Sequence, residues 1–332
     1  MKRLLTLVLA ILPLAAMASV EITSLQINGL TEPTGVNPDA PLSFSWRATS
    51  DEKGASQEAY EISVYRGMAR VWHSGYVKSD NSVAIPFSGT LRPDSRYSVI
   101  VRIWDNKNIA SKAVTTSWST GLRAEDWKAE MVGMKVGTQP LNFRHTATLD
   151  KKIKRATAYI TSHGQYEAYI NGTRVGDAYM TPGWTSYNKR LQYQAYDVTS
   201  LLQKGRNTVA ATVSPGWYSG GMNVGRPEKR FRYGNDVSLL LQTDGSLQYI
   251  VTDGEWECCV PAEEEAAKAG GITFANIYDG QTVDGRLIDR QWAGVNAQTR
   301  WSKKATVMDM PKDHIIATIN EPVKTFEAIP AK

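Results

Sequence analysis

From Val20 to about Leu122, short runs of alternating apolar and polar residues return about every ten positions, with turn residues between them. "LSFSWRA", "AYEISVYRG", "SVAIPFSG" and "RYSVIVRIWDN" are the clearest. A period of two sends successive side chains to opposite faces of a strand, and strands at this cadence build an all-β sandwich. Leu91 and Tyr97 flank the turn begun by Pro93, which is the arrangement of a tyrosine corner. Trp46 and Trp104 are expected to supply buried area in two of these strands rather than to contact a ligand.

A connector, residues 123–140, lacks the alternation. A second β-rich region then runs from 141 to 311, through "FRHTATLD", "RLQYQAYDV", "NTVAATVSPGWY" and "DVSLLLQTDGSLQYIVTD". Asn171-Gly172 and Asp244-Gly245 stand between alternating runs as two-residue hairpin turns. In "RLQYQAYDV" the alternation puts Leu191, Tyr193 and Ala195 on one face and Gln192, Gln194 and Tyr196 on the other. "DVTSLL" reads as a short turn capped by Asp197 or Thr199. The one helix expected is Pro261 to Gly271, with proline first, acids in the first turn and glycine at the end. Residues 312–332 read as an extended tail.

The first 18 residues carry no such pattern. Lys2 and Arg3 precede a short apolar stretch, Leu4 to Leu14, and Ala16-Met17-Ala18 forms an A-x-A site. That order is a secretory signal, which places the mature chain, from residue 19, in the periplasm or outside the cell. A buried N-terminal helix is the alternative. No run is long enough to span a membrane as a helix.

Composition adds exclusions. The 332 residues are 42% hydrophobic and 21% charged, an ordinary globular balance. The formal charge of +5 becomes +3 without Lys2 and Arg3, and it is dispersed, so neither nucleic acid nor a charged membrane surface is an expected partner. The two cysteines, Cys258 and Cys259, are neighbours. An ordinary disulfide needs its Cα atoms further apart, and a zinc site needs about four separated ligands, so two buried thiols are expected.

The stretch from "EAYINGTRVGDAYMTPGWTSYNKR" through "LQYQAYDVTSLLQKGRNTVAATVSPGWYSGG" resembles the N-terminal jelly-roll domain of bacterial α-L-rhamnosidases, glycoside hydrolase family 78. "ANIYDGQTVDGRLIDRQWAG" resembles a further block of that domain, with Gln281 where the family has an acid and Asn276 where it often has Asp. "PLSFSWRATSDEKGASQEAYEISVY" and "RYSVIVRIWDN" resemble the fibronectin-like module that opens many of these enzymes. The resemblance therefore implies a fibronectin type III or immunoglobulin-like sandwich, residues 19–122, followed by a galactose-binding-like jelly roll, residues 141–311. In that family an (α/α)₆ barrel carries out inverting hydrolysis. Its motifs do not occur in these residues, so the chain on its own is expected not to be catalytic.

The residues agree with that expectation. Glycoside hydrolysis needs two carboxylates facing across the scissile bond. Asp279, Asp284 and Asp289 recur at regular spacing, but the first two belong to Asp-Gly turn pairs that belong on a rim. His73, His145, His163 and His314 show no metal-binding spacing, and no nucleophile motif or phosphate loop occurs. Sugar binding has better candidates. Pyranose rings present C–H faces to aromatic side chains and hydroxyls to polar ones. Trp184, Tyr187, Trp217 and Tyr218 follow Pro-Gly turns in "TPGWTSY" and "SPGWYSGG", and Arg190, Asn223, Asn276 and Asp279 supply polar groups. The plainer reading is that the Trp side chains plug the sandwich ends. Ca²⁺ enters only because some related jelly rolls bind rhamnose through it, and spacing identifies no site.

The resemblance thus implies a supporting, carbohydrate-binding part of an α-L-rhamnosidase, with rhamnose-containing oligo- or polysaccharide as ligand. Two alternatives stand beside it. One is an independent exported lectin-like protein. The other is a scaffold for a separate barrel-containing enzyme.

Overall fold

The computed structural model describes residues 20–331 except 138, 221–232, 245–248, 261–268, 298–300 and 302. The expected signal segment 1–18, Asn223, Gly245 of the second hairpin and most of the expected helix lie outside the described residues. Gly270 and Gly271, placed at that helix's end by the sequence pattern, begin a strand instead.

The chain divides into two compact units. The first comprises residues up to Glu32, Pro41–Gly89 and Arg96–Ser117. Its strands are β1 (Glu21–Ile27), β2 (Ser43–Thr49), β3 (Gln57–Arg66), β4 (Ala69–Lys78), β5 (Ile85–Pro86), β6 (Arg96–Asp105) and β7 (Val114–Ser119). They form a three-stranded sheet β1-β2-β5 and a four-stranded sheet β4-β3-β6-β7. In β6 Tyr97, Val99, Val101 and Ile103 are buried while Arg96 and Arg102 are exposed, as the two-residue period requires. Trp46 of β2 meets Tyr60 of β3 edge to face at 5.4 Å, and its indole N–H donates to Gln57 Oε1 at 2.8 Å. Trp104 is only half-buried, with Tyr76 against it at 4.9 Å. Leu91 and Tyr97, the corner pair, are both buried.

The second unit comprises Pro33–Ala40, Thr90–Ser95 and the chain from Trp118 onward. Its strands are β8 (Met131–Met134), β9 (Leu141–Leu149), β10 (Thr157–His163), β11 (Gln165–Ile170), β12 (Thr173–Arg174), β13 (Leu191–Asp197) and β14 (Gly205–Ser214). A four-residue helix α1 (Gly216–Ser219) follows. Then come β15 (Val237–Asp244), β16 (Ile250–Val251), β17 (Glu257–Cys259), β18 (Gly270–Asn276), β19 (Gly280–Ile288), β20 (Lys303–Lys304), β21 (Thr306–Met308) and β22 (Ile315–Ala317). One sheet has the order β21-β8-β15-β10-β13-β22, with β16 on β15, and the other β12-β11-β14-β9-β17-β20. Two stretches without alternation therefore join the first sheet. The connector supplies β8, antiparallel to β15, and the tail supplies β22, parallel to β13. Each is three or four residues long, too short for a period to show.

Between the sheets lies the main core. Ala158, Ile160, Leu239 and Leu241 come from one sheet, and Phe143, Ala168, Val209, Ala211 and Val213 from the other. The alternate residues Tyr159, Tyr193, Ala195 and Leu240 face outward and are buried again beneath Leu122, Trp127 and Met131. A strand covered on both faces needs apolar side chains in succession, which explains "VSLLLQT" in β15. Trp127, Tyr159 and Tyr193 meet edge to face at 5.4–6.3 Å. The opposite sheet is covered by Trp292 and Trp301. Arg144 is buried there, with its guanidinium 4.5 Å from the Trp301 ring and 2.8 Å from Glu257.

Turn chemistry fixes the hairpin ends. Asn171 and Gly172 both have positive φ, 53° and 84°, as the primed two-residue turn demands. The Asn171 amide donates to Leu201 O and Asn207 Oδ1 and accepts from Thr208 N–H, so the side chain is committed to the fold. Asp197 accepts from Thr199 N–H at 3.0 Å and caps the turn before β14. Cys258 and Cys259 are buried in β17 and form no disulfide.

Candidate functional site

One aromatic cluster gathers on the outer face of the first sheet of the second unit, where β10 ends and β15 begins. The alternation that turns Tyr159 outward also turns His163, four positions on, outward. The His163 ring lies flat on Tyr218 of α1, with centroids 4.0 Å apart and planes 9° from parallel. Tyr187 meets Tyr218 edge to face at 5.4 Å and Tyr233 at 5.0 Å. Gly234 leaves room for this cluster, because a Cβ there would come within 2.5 Å of the Tyr218 ring.

A carboxylate anchors the cluster. His163 Nδ1 is 2.7 Å from Asp236 Oδ2, and Ser238 Oγ donates to the same oxygen at 3.0 Å. Burial alone would raise the Asp236 carboxyl, but the His163 and Ser238 hydrogen bonds outweigh it and hold it below the ordinary value of 3.8. An ionised carboxylate only accepts, so Nδ1 carries the proton. Burial, with the Asp236 charge beside it, pushes the Tyr218 phenol well up, and burial among neighbouring tyrosines does the same for Tyr187. Both stay neutral donors and cannot act as bases near neutral pH.

The loop between β12 and β13 sits over this base. The Tyr187 hydroxyl donates to Gly183 O at 2.9 Å, which closes the loop on itself around Trp184. Trp184 is 56% exposed, an unusual exposure for the largest side chain, whereas Tyr218 is 8% exposed. Arg190, also exposed, donates from Nε to Thr185 Oγ1 at 3.0 Å. Trp217 and Tyr218 stand on α1 rather than in a loop, and Trp217 is half-buried. Asn276 is buried; its amide donates to Gly220 O at 2.5 Å and accepts from the backbone of Tyr278 and Asp279. It therefore fastens its turn to the end of α1, and Asp279 lies on the exposed side of that turn.

Tyr187, Tyr218 and Asn276 are thus brought into one neighbourhood, Tyr218 and Asn276 buried, while Trp184 is the ring left open to solvent. His163, Asp236 and Tyr233 were missed by the sequence reading. His163 looks like any polar strand residue, and its partner is 73 positions away. Only the outward phase shared by Tyr159, Thr161 and His163 could have signalled it.

Two of the three regularly spaced aspartates are held by local partners. Asp284 is bound by Arg286, whose guanidinium and backbone N–H hold it down at about 2. Asp289 accepts from Gln291 N–H at 2.8 Å. Ca²⁺ takes about six to eight oxygens, with carboxylates among them. Among the described residues no three His, Cys, Asp or Glu side chains gather in a metal-holding group, so they do not furnish a carboxylate-rich calcium site. Among the described residues, too, no helix is long and apolar enough to cross a membrane.

Residues 151–327 match the family model for the alpha-L-rhamnosidase N-terminal domain, and residues 22–124 that for the Rha78A-like, N-terminal immunoglobulin domain. An alpha-L-rhamnosidase of Formosa agariphila is 31% identical, covering 86% of this chain and 33% of its own length. One of Streptomyces avermitilis is 35% identical, covering 65% of this chain and 21% of its own. Among solved structures, the alpha-L-rhamnosidase from Aspergillus terreus superposes with a TM-score of 0.81 at 30% identity, over 92% of this chain and 36% of that one. That from Dictyoglumus thermophilum gives 0.77 at 28%, over 93% and 36%. The chain spans about a third or less of the length of these relatives.

Proposed function

The chain belongs to the α-L-rhamnosidase N-terminal domain family, and from that premise we propose that it is the carbohydrate-binding and supporting part of such an enzyme. In this reading its ligand is a rhamnose-containing oligo- or polysaccharide, met outside the cytoplasm after export. In this reading hydrolysis belongs to a helical barrel, which the described residues do not form. The first unit and the jelly roll act as ancillary modules.

One observation carries the binding role. Trp184 is exposed on a loop whose base is a buried, stacked aromatic cluster. A sugar's C–H face needs a flat ring that is open to solvent yet does not lose much freedom when covered. Trp184 meets the first condition, and the Tyr187–Gly183 hydrogen bond serves the second. Arg190 and Asp279 stand exposed as polar groups for sugar hydroxyls.

Calorimetry with L-rhamnose, run with and without Ca²⁺, tests this. Saturable heat supports the binding role, and silence under both conditions leaves only the supporting role. An aryl α-L-rhamnoside assay tests the non-catalytic half of the reading, and turnover above buffer would sink it.

A scaffold role has its own support. Ile319, Phe326 and Ile329 in the tail are 68%, 94% and 82% exposed. Apolar side chains repeated along an extended segment suit contact with another protein surface. Co-purification with a barrel-containing rhamnosidase from the producing cell distinguishes this reading from an independent lectin-like protein.

A further inference from the structure

Gln194 is one of the side chains that hold the loop carrying Trp184. Gln194 faces the opposite side of β13 from Tyr193 and Ala195, toward the first turn of that loop. Its amide nitrogen donates to Pro182 O at 3.1 Å and to Thr318 Oγ1 at 2.8 Å. Its amide oxygen accepts from the Tyr166 hydroxyl at 2.8 Å. Both N–H groups are thus spent, one on the loop and one on the segment that follows β22. Thr318 in turn is fixed to β13, with its N–H and its hydroxyl both donating to Tyr193 O, at 3.0 and 2.8 Å.

The segment after Thr318 then runs beside the same loop. Tyr179 N–H donates to Val323 O at 2.8 Å, and Lys324 Nζ is 3.1 Å from Asp177. Residues 318–324 are therefore tied to the 177–184 loop at three places: through Gln194 to Pro182, at Tyr179 and at Asp177. The loop's inner face is tied to β11, where Tyr166 and Thr181 exchange a backbone and a side-chain hydrogen bond, each 2.9 Å.

We infer that Gln194 is a positioning residue for the sugar-binding loop, and that residues 318–324 form a strap whose hold on Pro182, from Thr318 through Gln194, sets the pose of Trp184. The inference rests on the binding role proposed for Trp184. The strap touches no sugar itself. It acts by restricting the loop before the ligand arrives, so that less ordering is left to the binding step.

Hydrogen exchange by mass spectrometry on the full chain tests the mechanical part without any ligand. Thr318→Val removes the hydroxyl at constant shape, and Thr318→Ser restores it. Loss of one or two hydrogen bonds raises local opening by roughly tenfold. The expected result is about that increase for the amides of residues 183–190 in the Val variant, wild-type exchange in the Ser variant, and no change in β9 or β14. Gln194→Glu, which keeps the acceptor for Tyr166 and loses both donors, should reproduce the Val result. L-rhamnose affinity should fall in the same order, by roughly five- to tenfold in the Val variant.

Unchanged exchange at 183–190, or an equal rise in β9 and β14, overturns the positioning role. A loosened loop with unchanged affinity overturns the link to Trp184. If the wild-type chain does not bind L-rhamnose, the binding role fails by itself, and the exchange data still decide whether the strap holds the loop.

Discussion

The imidazole of His163 lies flat against the Tyr218 ring at 4.0 Å while its Nδ1 holds Asp236 at 2.7 Å. Stacking fixes the plane of the histidine and the hydrogen bond fixes its rotation, so the pair makes a rigid floor from two side chains on different elements. Tyr218→Ala should remove that floor and destabilise the chain by about 3 kcal/mol, as aromatic truncations in packed sites do. Tyr218→Phe keeps the stacked face and should cost under about 1 kcal/mol. Urea denaturation of the two variants checks the contrast; equal losses would mean that the hydroxyl, not the ring, carries the packing.

Asp236 gives the floor a pH dependence. Its carboxyl is held below 3.8 in the folded chain and returns to that value on unfolding. The unfolded state therefore takes up the proton first as pH falls. The stability contribution is whole above 3.8 and is lost as pH drops through the lowered folded value. The wild-type advantage over Asp236→Asn should be constant between pH 5 and 7 and shrink below about pH 4. Thermal midpoints of both proteins across that range measure it, and a gap at pH 3 undiminished from its size at pH 5 would show that Asp236 is not the titrating group.

Arg144 is a different kind of burial. It is 5% exposed, stacks on Trp301, donates to Trp292 O and pairs with Glu257. Arg144→Ala leaves Glu257 without this partner and the Trp301 face uncovered. The expected loss is about 2–3 kcal/mol, below that for a fully buried pair because the Glu257 side chain is 32% exposed. Arg144→Met, which keeps the apolar stem over the ring, should recover part of it. Denaturant titration settles the order; a neutral Ala variant would mean that the stack and the pair contribute nothing net.

Asn171 should prove costly to change although it lies in a turn. It combines a φ of +53° with three side-chain hydrogen bonds. Asn171→Ala should cost about 2–3 kcal/mol, and Asn171→Gly less, since only the first strains the backbone. The comparison of the two separates strain from lost hydrogen bonds.

The all-β class was legible because it rests on period-two runs such as "RYSVIVRIW", whose burial follows the pattern residue by residue. The two faces of β13 were legible for the same reason. Asn171 and Gly172 were legible through local turn chemistry. What escaped was non-local or short. Strands β8 and β22 pair with partners far along the chain and are too brief to show a period. His163 and Asp236 meet only because β10 and β15 are neighbours. The different burial of Trp184, Tyr187 and Tyr218 was not legible, because aromatic residues after Pro-Gly look alike whether they face solvent or support what does. Exposure, which separates Trp184 from them, is set by tertiary packing.

Saturation-transfer NMR of L-rhamnose, comparing the wild-type chain with Trp184→Ala, tests the central claim most directly. Trp184 is more than half exposed, so its removal should leave the unfolding midpoint almost unchanged. The account predicts transfer to the sugar's C–H protons in the wild type and its loss in the variant. No transfer in either protein, or equal transfer in both, would contradict it.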